Sequence, residues 1–134
     1  MAATFHFVAL ECLKQNEMFH DEIVVLYQGS QVFPKVGAAF QFKLGTKVAN
    51  DRLPDGHPCP NGAIVVPAYP GVEAFLETPI PTHGLGIRLV EIDEPFTAND
   101  LIGQLLISPI PTEGIVSKVL RGSGAEYRLS WIVV

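Results

Sequence analysis

Apolar side chains recur at every second position along most of this chain, and glycine or proline interrupts the pattern every few residues. A period of two places alternate side chains on one face of an extended strand, so half-buried β-strands are the first constraint on the fold. Phe5, Phe7 and Ala9 alternate with Thr4, His6 and Val8, and Phe40, Phe42 and Leu44 with Gln41 and Lys43. Ile87 and Leu89 flank Arg88, while Tyr127, Leu129, Trp131 and Val133 alternate with Arg128, Ser130 and Ile132. Residues 23–27, 63–66 and 101–107 are more uniformly apolar, which predicts central strands covered on both faces.

The 12 Gly and 11 Pro fall mainly at segment ends, where they set turns and disfavour helix interiors. Gln28-Gly29-Ser30 predicts a tight hairpin and Asn61-Gly62 a primed turn. Gly122-Ser123-Gly124 reads as a further turn between two strands. Only residues 72–77 and a single turn at 97–101 read as helical. Two segments share a [ST]-P-I-P-T-x-G pattern, at 78–84 and 108–114, and read as two similar turns ahead of two strands. The expected fold is all-β: one domain over residues 1–134, an antiparallel two-sheet β-sandwich of Greek-key type with about eight to ten strands.

A length of 134 residues is enough to bury a core without staples. Nine Lys plus Arg stand against 14 Asp plus Glu, a net charge of −5, which opposes binding to a phosphate backbone, so no nucleic acid partner is expected. The opening residues 1–7 carry no basic segment ahead of an apolar run, and Gly, Pro or a charge breaks every apolar stretch. A soluble protein is expected, cytoplasmic or exported without a visible signal peptide. Cys12 and Cys59 are expected as free thiols rather than a bridge.

The segment 90–104 carries the most chemistry. An apolar strand runs into Asp93, Glu94, Asn99 and Asp100, and a second apolar strand leaves at once. Calcium takes six to eight oxygen ligands, which clustered carboxylates on a loop between rigid strands can supply. The structural alternative is that Asp100 caps a short turn while Asp93 and Glu94 sit solvated at a strand end. The run Phe96-Thr97-x-Asn99-Asp100-x-Ile102-Gly103 resembles the third loop of the calcium-dependent lipid-binding domains of conventional protein kinase C and the synaptotagmins. That family has an acid–x–acid pair before this loop, where the chain has Ile92 and Glu94 around Asp93. Residues 16–22, with Glu17 and Asp21, are similar in position and acidity to the family's first loop.

The resemblance implies an eight-stranded β-sandwich that is a non-catalytic binding module. Calcium, held by Glu17, Asp21, Asp93, Glu94, Asn99 and Asp100, would bridge it to an anionic membrane surface or a protein partner. Met18, Phe19 and Phe96 are candidate apolar tips on the same loops, or fold back onto the core. Lys and Arg are scattered along the chain, so a polybasic lipid patch is not expected.

Catalysis has no motif behind it. The four histidines lack metal-ligand spacing, His57 and Cys59 lie two apart on a proline-rich loop without further ligands, and no nucleophile elbow or phosphate loop occurs. The irregular stretch 46–62 reads instead as a rim loop. Two non-enzymatic alternatives stand beside the binding module. In one, the chain is a structural or assembly subunit, self-associating or bound to others, with strand edges and the Trp131-Ile132-Val133-Val134 end packed against them. In the other it is a sugar-binding jelly roll, for which one Trp and three Tyr supply few stacking surfaces.

Overall fold

Alternation at the level of the sequence becomes two packed sheets in the computed structural model, which describes residues 3–16, 20–35, 39–54, 56, 62–92 and 100–134. In chain order the elements are β1 (Thr4–Lys14), β2 (Asp21–Tyr27), β3 (Ser30–Phe33), β4 (Phe40–Phe42), β5 (Lys47–Ala49), β6 (Ile64–Val65), a 3-10 turn (Val66–Ala68), α1 (Glu73–Leu76), β7 (Glu77–Pro79), β8 (Leu85–Glu91), β9 (Asp100–Ile107), β10 (Val116–Gly122) and β11 (Ala125–Val133). The first sheet runs β10-β11-β1-β5-β6, with β7 sharing an edge of β1; the second runs β3-β2-β8-β9, with β4 on β2. All pairings are antiparallel except β5 with β6. The protein is an all-β two-sheet sandwich, and the one α-helix among the described residues is a single turn of four residues.

Aromatic side chains fill the space between the sheets. Phe5, Phe7, Phe33, Phe42, Phe75 and Tyr127 have no exposed surface, and each such ring removes enough apolar area from water to contribute roughly 1.5–3 kcal/mol. Phe75, carried by α1, stacks on Phe33 at 4.8 Å and meets Phe7 at 4.2 Å. The Tyr27 hydroxyl donates to the Phe75 carbonyl at 2.8 Å, so this one-turn helix closes its side of the core.

Several strand readings shift in three dimensions. On β1 the register slips between Phe7 and Ala9. Phe5 and Phe7 therefore face the main core, and Leu10 and Cys12 take over after the bulge. Val8 and Ala9 join Ala49, Leu53 and Ile132 in a smaller cluster. Asn50, itself 2% exposed, sits beside the bulge: its side-chain Nδ2 donates to the Phe7 carbonyl, and its backbone N–H donates to the Val8 carbonyl, one step on in the β1–β5 register.

The 63–66 segment is no central strand. Pro67 ends it after the two residues of β6, and Ile64 lies 37% exposed at the sheet border. Residues 101–107 belong to β9, at an edge of the second sheet rather than its middle, with Leu101 and Leu106 exposed and only Ile102 and Ile107 fully inside. Leu44 leaves the alternation for a turn and is 66% exposed. Residue 101 is strand rather than helical turn, and 97–99 lie outside the described residues.

The C-terminal end also differs from the assembly reading. Trp131, Ile132 and Val133 are buried within the chain, where β11 pairs along the whole of β1. The Gln28-Gly29-Ser30 hairpin and the 122–124 turn hold, Gln28 and Gly29 having φ of 52° and 82°, and Ser123 and Gly124 of 52° and 81°; of the expected Asn61-Gly62 turn, Asn61 lies outside the described residues. Two positive values in succession match the right-handed twist of the flanking strands. The two Pro-Ile-Pro-Thr turns are put to different uses. The first closes on a Gly84 to Pro81 backbone bond, whereas in the second the Thr112 amide and hydroxyl hold the end of β11.

Candidate functional site

One end of the sandwich collects the end of β1, the start of β2, the turn after β4, the end of β8, the start of β9 and the turn after β10. Alternation on β2 aims Asp21, Ile23, Val25 and Tyr27 at the core, and on β8 it aims Leu85, Ile87, Leu89 and Glu91 the same way. The apolar members fill the interior, and the acidic member of each strand is left where the interior meets the loops. Ile23 pairs with Glu91, and Glu91 with Asp100 of β9. Asp21 and Glu91 have no exposed surface, and Asp100 is half-buried.

Two buried carboxylates require compensating donors. Asn16 supplies two of them: its backbone N–H donates to Asp21 Oδ1 at 2.9 Å, and its Nδ2 donates to Glu91 Oε1 at 2.8 Å. Tyr127 donates its hydroxyl to Asp21 Oδ2 at 2.6 Å, the short distance of a charge-assisted bond. Gly124 makes room for this arrangement, because a Cβ there would stand 2.9 Å from Asn16 Oδ1. The turn before β5 is tied to the same end: Gly45 N–H donates to the Cys12 carbonyl, Leu44 N–H to Gln15 Oε1, and Thr46 accepts from Cys12 N–H. Leu44 is thereby fixed as an exposed apolar tip.

The Cys12 thiol is buried and free, and lies beside the Tyr127 hydroxyl. Burial is the largest cause pushing its pKa up, with the Asp21 charge adding to it. Burial first, then the bond to Asp21, holds the Tyr127 hydroxyl far above its ordinary 10, and burial alone does the same to Tyr27. With folded-state values raised, this stabilisation is complete below the unfolded-state pKa and is lost as pH climbs past it, from about 9 for Cys12 and about 10 for the tyrosines. Each tyrosine is expected to remove about 1.4 kcal/mol by pH 11. Urea midpoints at pH 8 and pH 11 measure the drop, and Tyr127→Phe should shrink it.

Of the residues singled out as calcium ligands, Asp21 is placed differently from expectation. Both of its oxygens accept hydrogen bonds inside the protein, so it anchors the loop roots. Asp100 sits at the start of β9 beside Glu91. Glu17, Asp93, Glu94 and Asn99 lie outside the described residues, as do Met18, Phe19, Phe96, His57 and Cys59. Among the described residues no group of three or more His, Cys, Asp or Glu side chains is placed to hold a metal ion. Glu91, Asn16 and Tyr127 were not singled out from the sequence. Extending the period of two by one step beyond Leu89 would have found Glu91.

Cations that are scattered in the sequence are aligned by strand register on the outer face of the first sheet. Lys47 and Arg128 flank Glu11, at 3.7 and 3.2 Å. In the next row Lys14 and Glu126 pair across strands, and Arg121 meets Glu126 at 2.9 Å. Carboxylates stand between the cations in both rows, so the face is a charge ladder, and exposed pairs of this kind contribute roughly 0–1 kcal/mol each.

Among the described residues no helix is long and apolar enough to cross a membrane. No family model matches the chain, and no curated protein matches it either.

Proposed function

We propose that this protein is a non-catalytic binding module whose binding end is the one carrying the 15–20, 43–46 and 92–99 links, with calcium assisting contact to a membrane surface or a protein. The observation that supports the reading is the pair of fully buried carboxylates, Asp21 and Glu91, cross-linked by Asn16 at the roots of the two acidic loops. Rigid roots of this kind hold loops in place at little entropic cost on binding. They also add negative potential to an end already rich in carboxylates, which favours a divalent cation. In this reading Asp21 and Glu91 act as the anchoring layer, and Asp93, Glu94, Asn99 and Asp100, with Glu17, supply the outer oxygens.

Thermal melting in EDTA and then in millimolar calcium tests it. A site filled to ten times its dissociation constant raises stability by about 1.4 kcal/mol. That corresponds to roughly 5 °C for a domain of this size. The rise should vanish in a D93N/D100N double variant. No rise in the wild type removes calcium from the reading.

A second reading, an assembly subunit, draws on Leu101 and Leu106, which are 45% and 69% exposed on the edge strand β9. The part of that edge that β10 does not close on, around Leu106, can pair with other strands. Light scattering at high concentration is expected to show oligomers if it holds, and a monodisperse monomer rules out self-assembly.

A further inference from the structure

We propose that a groove on the outer face of the second sheet binds a small amphipathic carboxylate. The groove encloses about 570 Å³ and lies at the β2–β3 hairpin. Asp21 opens β2 and Gln28 follows its last residue, so the length of that strand, roughly 20 Å, separates the groove from the acidic end. It is therefore independent of the calcium reading.

Glycine creates the hollow. Gly29 in the hairpin and Gly86 on β8 present bare backbone among residues with long side chains. Gln28 is held over them in a left-handed conformation, φ 52°. Its backbone N–H donates to the Gly86 carbonyl at 2.8 Å, and its side-chain Oε1 accepts from Gly86 N–H at 2.6 Å. With Oε1 engaged, the group that Gln28 has left to offer is its Nε2 donor.

Arg88 and Gln104 pair across β8 and β9 along the same groove. Arg88 is exposed and, among the described residues, makes no ion pair or hydrogen bond through its guanidinium. Among the described residues no Asp or Glu lines the groove, although the chain as a whole carries a charge of −5. A planar cation with amide donors on either side fits a carboxylate, which a guanidinium grips by two parallel bonds. Leu106, 69% exposed, borders the groove as an apolar wall. One charged contact beside one apolar wall defines an amphipathic acid rather than a free inorganic anion. The carboxylate can come from a short fatty acid or from the C-terminus of an apolar peptide.

The test is an amide NMR titration of the full chain with octanoate, octanol, acetate, and N-acetyl-leucyl-leucine as the acid and as the amide. Octanoate or the peptide acid is expected to shift the Gly29 and Gly86 resonances saturably. Octanol, acetate and the peptide amide should bind at least about tenfold more weakly, the worth of one charge-assisted pair or one apolar contact. Arg88→Gln should weaken the acids by a similar factor while keeping the wild-type melting temperature, since Arg88 is a surface residue. A response to the peptide acid alone identifies a chain terminus as the source, and a response to octanoate alone a free acid. The proposal is overturned if neither acid shifts those amides, if octanol or acetate binds as tightly as octanoate, or if Arg88→Gln leaves the affinity unchanged.

Discussion

Asp21→Ala is expected to lower stability by about 3 kcal/mol, because it leaves one buried donor without an acceptor, which costs roughly 1–3 kcal/mol, and breaks a second, part-buried bond that contributes roughly 0.5–1.5 kcal/mol. The donors are the Asn16 backbone N–H and the Tyr127 hydroxyl. At roughly 4 °C per kcal/mol for this chain length, the melting temperature falls by roughly 12 °C. Tyr127→Phe keeps the ring against Phe42, 5.4 Å away and edge-on, but takes a donor from the buried Asp21 carboxylate, so it should still cost about 2 kcal/mol. Running both variants in EDTA and in calcium separates two roles for Asp21. An equal loss in both conditions is the signature of an anchor whose oxygens are already engaged. A loss that grows when calcium is present would make Asp21 a ligand and return it to the outer set with Asp93 and Asp100.

The strands that the sequence made legible are those whose pattern is set by one uninterrupted face. On β8, Leu85, Ile87 and Leu89 alternate with Arg88 and point inward as their spacing implies, and on β11 Tyr127, Leu129 and Trp131 do the same. The β1 alternation misleads after Phe7, because a bulge is a property of the pairing with β11 and leaves no mark on either strand alone. Uniform apolarity misleads at β9 for a related reason. Leu101 and Leu106 look like residues of a central strand, but both are exposed on the outer face of the second sheet, and among the described residues no strand is hydrogen-bonded to the far side of β9. Composition reports how apolar a segment is, and only topology reports how many sides of it are covered.

The site was legible in a similar, partial way. Acidity near residues 16–22 and 91–100 can be read from the sequence, and the described residues that border these segments, Asn16, Asp21, Glu91 and Asp100, meet at one end of the sandwich. Which carboxylate turns inward is decided by strand phase. Asp21 and Glu91 occupy the next inward positions before Ile23 and after Leu89, and are buried for that reason alone. Their donors, Asn16 and Tyr127, lie 5 and 106 residues from Asp21. No local spacing connects such residues. The same holds for the charge ladder, whose cations come from β1, β5, β10 and β11.

Gly122→Ala is expected to be the other costly substitution, because Gly122 is where the two sheets close on each other. It ends β10, the edge of the first sheet, and lies against β9, the edge of the second. A Cβ at this position would overlap the Ile102 carbonyl oxygen and stand 2.9 Å from that of Leu101. Both obstacles are backbone atoms of a paired strand, so neither can turn aside as a flexible side chain would. Gly103 faces the same seam from β9, where its own Cβ would come 2.8 Å from Leu120 Cβ. Relief therefore requires β9 and β10 to separate, which uncovers Ile102 and Leu120, 1% and 5% exposed. Overpacking in a closed site costs typically about 1–3 kcal/mol, and the upper end applies where backbone must move. Urea denaturation should show the midpoint falling with little change in slope if the seam gives locally. The β9 amides should then exchange with solvent faster than those of β2, whose position between β8 and the β3 and β4 pair is untouched. Wild-type stability in Gly122→Ala would mean that the edges are held apart by more than this contact distance, and that the sandwich is open along that side.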